Sequence, residues 1–364
     1  MEKVNRVAVI LFNLGGPDSL DAVKPFLFNL FRDPAIIAVP NPIRWMLAKL
    51  ISHRRAPIAR EIYRELGGAS PILKETESQA ESLRKSLEAR DPERTWAVEI
   101  AMRYWHPFAA ETAARVKDFG PDGILLLPLY PQYSTTTTGS SVKDWRRAAA
   151  AAGLDAATDT ICCYPDHRGF AAAQVGLIAG AIAEVRESEG GDRLIRLLMS
   201  AHGLPKRVIA RGDPYQWQVE QSVAAIRRGL EARGALDSRI EPVVCYQSRV
   251  GPLEWIGPAT DDEIRRAGGD GAAVIVVPVA FVSEHSETLV ELDIEYAALA
   301  GECGVPRYTR VAALGCDERF IAGLADLAVE TIGGGSGRTI SAMADKVTCG
   351  SRFPACPLCP GNAP

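Results

Sequence analysis

The chain has 364 residues, 47% apolar and 24% charged, and a formal net charge of −4. Its length suggests two cores rather than one, its composition is that of an ordinary globular protein, and its acidic balance argues against a nucleic-acid partner. No apolar run nears the roughly 18 residues that nominate a membrane span.

Residues 4–14 read as a strand entering the fold directly, without the basic, apolar and small-residue succession of a signal peptide. A cytoplasmic protein is therefore expected, with its eight cysteines free or metal-bound rather than paired. Along the chain, segments 7–11, 96–102, 123–128, 194–199, 242–245 and 273–279 have the length and β-branched content of buried parallel strands. Segments such as 78–88 and 219–233 alternate apolar and charged residues at helical spacing. Strands alternating with helices predict a doubly wound α/β architecture. Two apolar strands each lead into a glycine-containing turn, NLGGP at 13–17 and AHGLP at 201–205, which suggests two similar halves dividing between residues 165 and 190.

In open α/β sheets ligands bind beyond the carboxyl ends of the strands. Those ends carry Asn13, Arg103, Tyr130 with Tyr133 and Ser134, His202, Gln247, and His285 with Glu287. Gly15 and Gly16 lie in neither a GxGxxG nor a GxxxxGK[ST] pattern, so no nucleotide is expected; a tight turn and a ligand contact remain the two accounts of them. His202 and His285 with Glu287 combine imidazole and carboxylate, a set suited to a divalent metal or to a base with a proton relay. The histidines do not share a helix as in HExxH, which removes the main support for a zinc hydrolase. On an α-helix Glu287, Glu291 and Glu295 fall at i, i+4 and i+8 and form one acidic stripe, a path for metal or protons, with a solvated helix face as the plainer account.

The segment around residues 42–55 mixes Trp45, Met46 and Leu50 with Arg44, Lys49, His53, Arg54 and Arg55, as does a surface meeting lipid or an anionic, apolar ligand, or an ordinary amphipathic helix. At the far end Cys349, Cys356 and Cys359 form C-x6-C-x2-C beyond the glycine-rich stretch 333–337. A tetrahedral metal or an iron–sulfur cluster needs a fourth thiolate. Cys162 and Cys163 are the candidates, and strand alternation lets only one face the tail.

The motifs LFNLGGP (11–17), YRELGGASP (63–71), MRYWHP (102–107), LYPQYS (129–134), SAHGLP (200–205), YQSRVGP (246–252), WIGP (255–258) and SEHSETLVELDIEY (283–296) run in order along nearly the whole chain. Together they resemble the ferrochelatases. The resemblance implies a chelatase-like α/β fold of two Rossmann-like lobes with parallel four-stranded sheets and a porphyrin cleft between them. The lobes would span residues 1–165, with a porphyrin lip at about 40–60, and 166–330, followed by a cysteine-containing extension at 331–364. It implies a lyase that inserts Fe(II) into protoporphyrin IX to form protohaem, releasing two protons in the last step of haem biosynthesis. Coproporphyrin III is the alternative substrate; a cobalt chelatase of the same fold and a non-catalytic porphyrin or metal carrier are the competing readings.

By the same resemblance, His202 and Glu287 are the catalytic, iron-handling pair, with His285 beside them and Glu291 and Glu295 as the relay. Leu14, Arg55, Tyr63, Ser70, Arg103, Tyr133, Ser134 and Trp255 are matched to porphyrin contacts, with Phe281 as a further ring neighbour. The lip implies peripheral contact with the inner membrane face. The tail implies a [2Fe-2S] cluster held by Cys349, Cys356, Cys359 and Cys162 or Cys163, in preference to zinc. The chain departs from the animal pattern at Thr135, where those enzymes carry the body cysteine.

Overall fold

Strand β1 (Arg6–Asn13) is buried at every position after the first, as a central strand covered on both faces must be. The computed structural model to which it belongs describes residues 5–249, 251–332, 337–343 and 349–360; most of the expected glycine-rich stretch, 333–336, lies outside them. After β1 come α1 (Val23–Arg32), α2 (Asn41–Glu65), α3 (Ile72–Arg90), β2 (Thr95–Met102), α4 (Ala109–Phe119), β3 (Gly123–Pro128), α5 (Thr138–Ala152) and β4 (Ala157–Cys163). Helix α6 (Arg168–Glu189) crosses to β5 (Ile195–His202), α7 (Lys206–Ala210), α8 (Tyr215–Ala232), β6 (Ile240–Gln247), α9 (Thr260–Gly269) and β7 (Ala273–Pro278). A π-helix (Glu287–Glu295), α10 (Tyr296–Glu302), β8 (Tyr308–Arg310), α11 (Glu318–Ile332) and β9 (Thr339–Ser341) complete the order.

All strand pairs are parallel, in sheets ordered β2-β1-β3-β4-β9 and β6-β5-β7-β8. The expected doubly wound α/β architecture is present, and the second sheet has its four strands. The first has five, because β9 of the C-terminal extension pairs with β4. That addition is nonlocal and three residues long, so no periodicity announces it. Strand β4 was also absent from the expected set: its Thr158-Asp-Thr160 run breaks the apolar pattern, yet Asp159 is buried and accepts the Arg338 backbone N–H at 2.8 Å.

Each sheet has its own core, and α6 serves both: Phe170 and Ala173 join the first, Val175, Ile178 and Ile182 the second. Among the described residues α6 is the one helix long and apolar enough to cross a membrane; its buried apolar side chains are spent on these two cores. After the second sheet the chain returns, and Phe320, Leu324 and Ala328 of α11 pack into the first core.

The expected α-helix at 287–295 is instead a π-helix, with i→i+5 hydrogen bonding, a form common at functional sites. One extra residue per hydrogen-bonded turn changes the drift of the acidic stripe but keeps residues four apart near one another.

Helices α6 and α11 cross closely enough that a Cβ on Gly169 would stand 2.7 Å from the Arg319 carbonyl oxygen and 2.8 Å from the Gly323 Cα. Gly169→Ala should therefore cost about 1–3 kcal/mol through overpacking, more than the roughly 0.5–1 kcal/mol that replacing a helical glycine returns. Urea unfolding should show a lower midpoint at unchanged slope; an unchanged or higher midpoint would refute the tight crossing.

Candidate active site

His202 closes β5 and Gln247 closes β6 in register beside it, so two neighbouring strands deliver their last side chains to one place. The Nδ1 of His202 lies 2.6 Å from the Gly203 carbonyl oxygen, which can only accept. Nδ1 therefore carries a proton, and in the neutral ring Nε2 keeps its lone pair. That Nε2 faces Glu287 at 3.8 Å, both side chains being partly exposed. His285 is buried, its Nδ1 has no hydrogen-bond partner, and its ring packs edge-on to Phe281 at 4.7 Å. Burial holds its pKa below the usual histidine value, against the raising influence of Glu287 and Glu284, which keeps it neutral.

Outward from Glu287, Glu291 accepts hydrogen bonds from the Ser248 backbone N–H (2.7 Å), the Ser248 hydroxyl, Gln247 Nε2 (3.0 Å) and the Tyr296 hydroxyl (3.1 Å). Burial first, and then the charge of Glu287, still raise its pKa. Ser248 makes two of these bonds from a positive φ of 61°, uncommon for a residue with a Cβ. Sequence reasoning missed Ser248, although it lies in the YQSRVGP motif. Glu295 is exposed, and with Glu291, Lys206, Arg249 and Trp255 it lines an open cavity of about 640 Å³. The stripe thus runs from a half-buried histidine–carboxylate pair, through a half-buried carboxylate, to open water.

Other expected contacts fall in several environments. Tyr63 is buried with its hydroxyl bonded to Ser286 and its pKa raised to about 12, chiefly by burial with Glu287 adding to it, so its ring stands beside the segment that carries Glu287. Leu14 packs in the same cluster, Ser70 and Trp255 are half-buried, and Arg55 is exposed with its guanidinium 5.9 Å from the Phe31 ring centroid. Arg103 bonds Asp33 (2.8 Å) and Ser140 (2.7 Å), with Asp144 at 3.7 Å. Turning it to a propionate would take from the buried Asp33 its cationic partner, leaving it the Tyr104 and Ser140 hydroxyls. Its charge ties α1 to α5 instead.

Tyr133 and Ser134 are buried away from any open surface. The Tyr133 ring packs on Cys162, Cys163 and Leu358, and the Ser134 hydroxyl donates to Asp213 at 3.0 Å. Gly15 and Gly16 serve the turn: Gly15 has φ 82°, and a Cβ on Gly16 would lie 2.5 Å from Ser70.

Among the described residues no set of three or more His, Cys, Asp or Glu side chains stands preassembled around a metal position. The cysteines come nearest to one. Cys163, Cys349 and Cys356 follow one another in hydrogen-bond reach, and Cys162 Sγ lies 3.6 Å from Cys163 Sγ. Strict alternation would have separated Cys162 from Cys163; an irregularity of the β4–β9 pairing between Ile161 and Cys163 lets both thiols meet. Cys359 sits one turn beyond, its N–H bonded to the Cys356 carbonyl at 3.0 Å. A buried nest of soft thiols converging from body and tail fits a thiolate-ligated group.

An imidazole nitrogen facing a carboxylate at the joined ends of parallel strands, backed by a line of acids, combines the groups that a metal chelatase needs to handle a divalent metal together with protons. The family model for Ferrochelatase matches residues 6–332. The chain is 52% identical over 352 residues to a ferrochelatase of Caulobacter vibrioides (strain NA1000 / CB15N), covering 97% of each. It is 55% identical over 324 residues to one of Phenylobacterium zucineum (strain HLK1), covering 89% of this chain and 91% of that one. Among solved structures, SirB from Bacillus subtilis with Fe3+ is similar at 11% identity and a TM-score of 0.48, over 90% of this chain and 95% of that one. The chain belongs to the ferrochelatase family.

The raised pKa of Glu291 gives a signed test. Its carboxyl holds a proton more tightly folded than unfolded, so this group favours the folded state at acidic pH, and that contribution is lost as pH rises through the raised value. Glu291→Gln has no proton to lose, and although its NH2 group faces donors and adds a cost that does not change with pH, its melting temperature relative to the parent should rise as pH rises from the ordinary glutamate range through the raised value. Thermal melts against pH check this; a gap independent of pH would remove Glu291 as its source.

Proposed function

We propose that this protein is a lyase inserting Fe(II) into protoporphyrin IX to form protohaem, with release of two protons. The observation that carries the reading is the His202 Nε2 lone pair facing Glu287 across 3.8 Å, with no set of three such ligands assembled there among the described residues. Insertion requires that iron lose water and that two pyrrole N–H groups lose protons. A porphyrin bent so that its nitrogens point out of plane presents those protons to one wall of the cleft. His202 and Glu287 share the two tasks of accepting protons and ligating iron. One imidazole and one carboxylate hold Fe(II) more weakly than a cage of several imidazoles or thiolates would, and weak holding lets the macrocycle take the metal. Buried and neutral, His285 lines the same wall without adding charge. Glu291 and Glu295 continue the path to the open cavity.

The remaining contacts belong to this reading as proposals. Leu14, Tyr63 and Trp255 bound the ring, and Arg55 and Ser70 serve the propionates. On α2 the side chains of Ile43, Trp45, Met46, Leu50 and Ile58 are exposed beside Arg44, Lys49 and Arg55, an apolar and cationic lip suited to peripheral contact with an anionic membrane from the cytoplasmic side. Cys163, in reach of Cys349, would with Cys349, Cys356 and Cys359 hold a [2Fe-2S] cluster, Cys162 standing next to it. When bound, such a group supplies a one-electron couple and a cross-link between body and tail.

His202→Ala should abolish metallation while porphyrin binding, followed by fluorescence, persists; substantial turnover in the variant would sink the role given to His202. The parent, assayed with Fe(II) against protoporphyrin IX, coproporphyrin III and sirohydrochlorin in parallel, should turn over protoporphyrin IX fastest. Binding without turnover of any would make it a carrier.

For the lip, Met46→Glu should weaken cosedimentation with phosphatidylserine-containing vesicles while leaving the fold intact by circular dichroism. Equal sedimentation of the two proteins would leave α2 an ordinary amphipathic helix.

A further inference from the structure

Gln218, in the first turn of α8, is fully buried, and both ends of its amide are engaged. Its Oε1 accepts the Tyr133 backbone N–H at 2.6 Å. An N–H can only donate, so the carbonyl end must face Tyr133 and the NH2 end must face the other way. There it lies 2.9 Å from Cys349 Sγ, itself buried. The loop that fixes this orientation is clamped on either side: Gln132 Nε2 donates to Ser222 Oγ at 2.8 Å, and the Thr135 N–H and hydroxyl donate to Asp213 at 2.8 and 2.7 Å. The tail is held to the same stretch, with the Phe353 ring 5.4 Å from Trp217 and the Ala355 N–H bonded to the Gly212 carbonyl. The amide therefore has no freedom to turn its donor away from the sulfur.

We infer that Gln218 is a positioning residue for the cysteine nest, an N–H···S donor that sets the reduction potential of the thiolate-ligated cluster. The inference rests on the cluster reading given above. A hydrogen bond to a ligating sulfur favours the state with more negative charge on it, which is the reduced state. Removing the donor should make the potential more negative. The Tyr133 clamp makes the donor preorganised, so little of its effect is lost to reorientation.

The experiment is an EPR-monitored redox titration of anaerobically purified full-length protein, with iron and sulfide content measured alongside. Gln218→Leu removes both amide functions. Gln218→Met keeps the side chain's length but has no donor. In both variants one-electron reduction should become about tenfold less favourable, a fall of about 59 mV. If the leucine variant does not fold, the methionine variant decides alone, and a folded variant that no longer retains its cluster would make the role structural and overturn the inference. Iron and sulfide absent from the parent would overturn the cluster reading and the inference with it. A cluster present in the parent and in a variant, at an unchanged potential, would overturn the role of Gln218 alone.

Discussion

A carboxylate partly withdrawn from water must be solvated in part by the protein, and Glu291 makes that demand beside the second sheet. Its solvation comes from Gln247 and Ser248 at the end of β6 and from Tyr296. Gln247 is itself oriented by β5, since Ser200 Oγ donates to its Oε1 at 2.8 Å, and its Nε2 also reaches the Glu287 backbone carbonyl at 3.1 Å. One amide thus ties the strand that ends in His202 to the turn that presents Glu287. The amide that joins His202's strand to Glu287's turn is thus the one that also solvates Glu291 behind them.

The π-helix belongs to the same logic. Its wider turn must be held by tertiary contacts, because an isolated helix would revert to i→i+4 bonding. Those contacts are available: Leu292 is fully buried and its carbonyl accepts the Tyr308 hydroxyl at 2.7 Å, while Asp293 pairs with Arg310 at 2.6 Å. On the first-lobe side, Gln79 donates to the Val282 and Gly315 carbonyls at 2.8 and 3.0 Å and accepts from Ser283 Oγ at 2.8 Å. Asn13 donates to the same Ser283 hydroxyl oxygen at 3.2 Å. The segment that leads into His285 and Glu287 is consequently fixed both by its own sheet and by Asn13 and Gln79 of the first part of the chain.

Where the information is local, the sequence is readable. The apolar runs became β1, β2, β3, β5, β6 and β7, and His202 and Gln247 meet because parallel strands in register point their carboxyl ends one way. The nearness of His202 to Glu287 was legible on that ground and through their motifs. Interactions with no local trace were not: a hydrogen-bond shift of one residue distinguishes a π-helix from an α-helix, and the pairing of Arg103 with Asp33 joins residues seventy positions apart. Tyr133 and Ser134 were misleading for a related reason. Their motif marks a loop near the cleft, but which side chains face inward depends on Asp213 and Gln218, nearly eighty residues or more downstream.

The tail extends that lesson, since a short segment with few apolar residues cannot form a core of its own. It borrows one. β9 takes the free edge of the first sheet, Pro354 lies over Gly212, where a Cβ would stand 2.5 Å from its ring, and Arg352 covers the Trp217 and Phe353 rings at 5.6 and 5.3 Å. These contacts on the second part of the chain fall between Gly212 and Gln218, and the Tyr215 hydroxyl within that stretch bonds to the backbone of His202. The stretch that meets the tail is thus also bonded to the strand end that carries His202, so tail and strand end share one support.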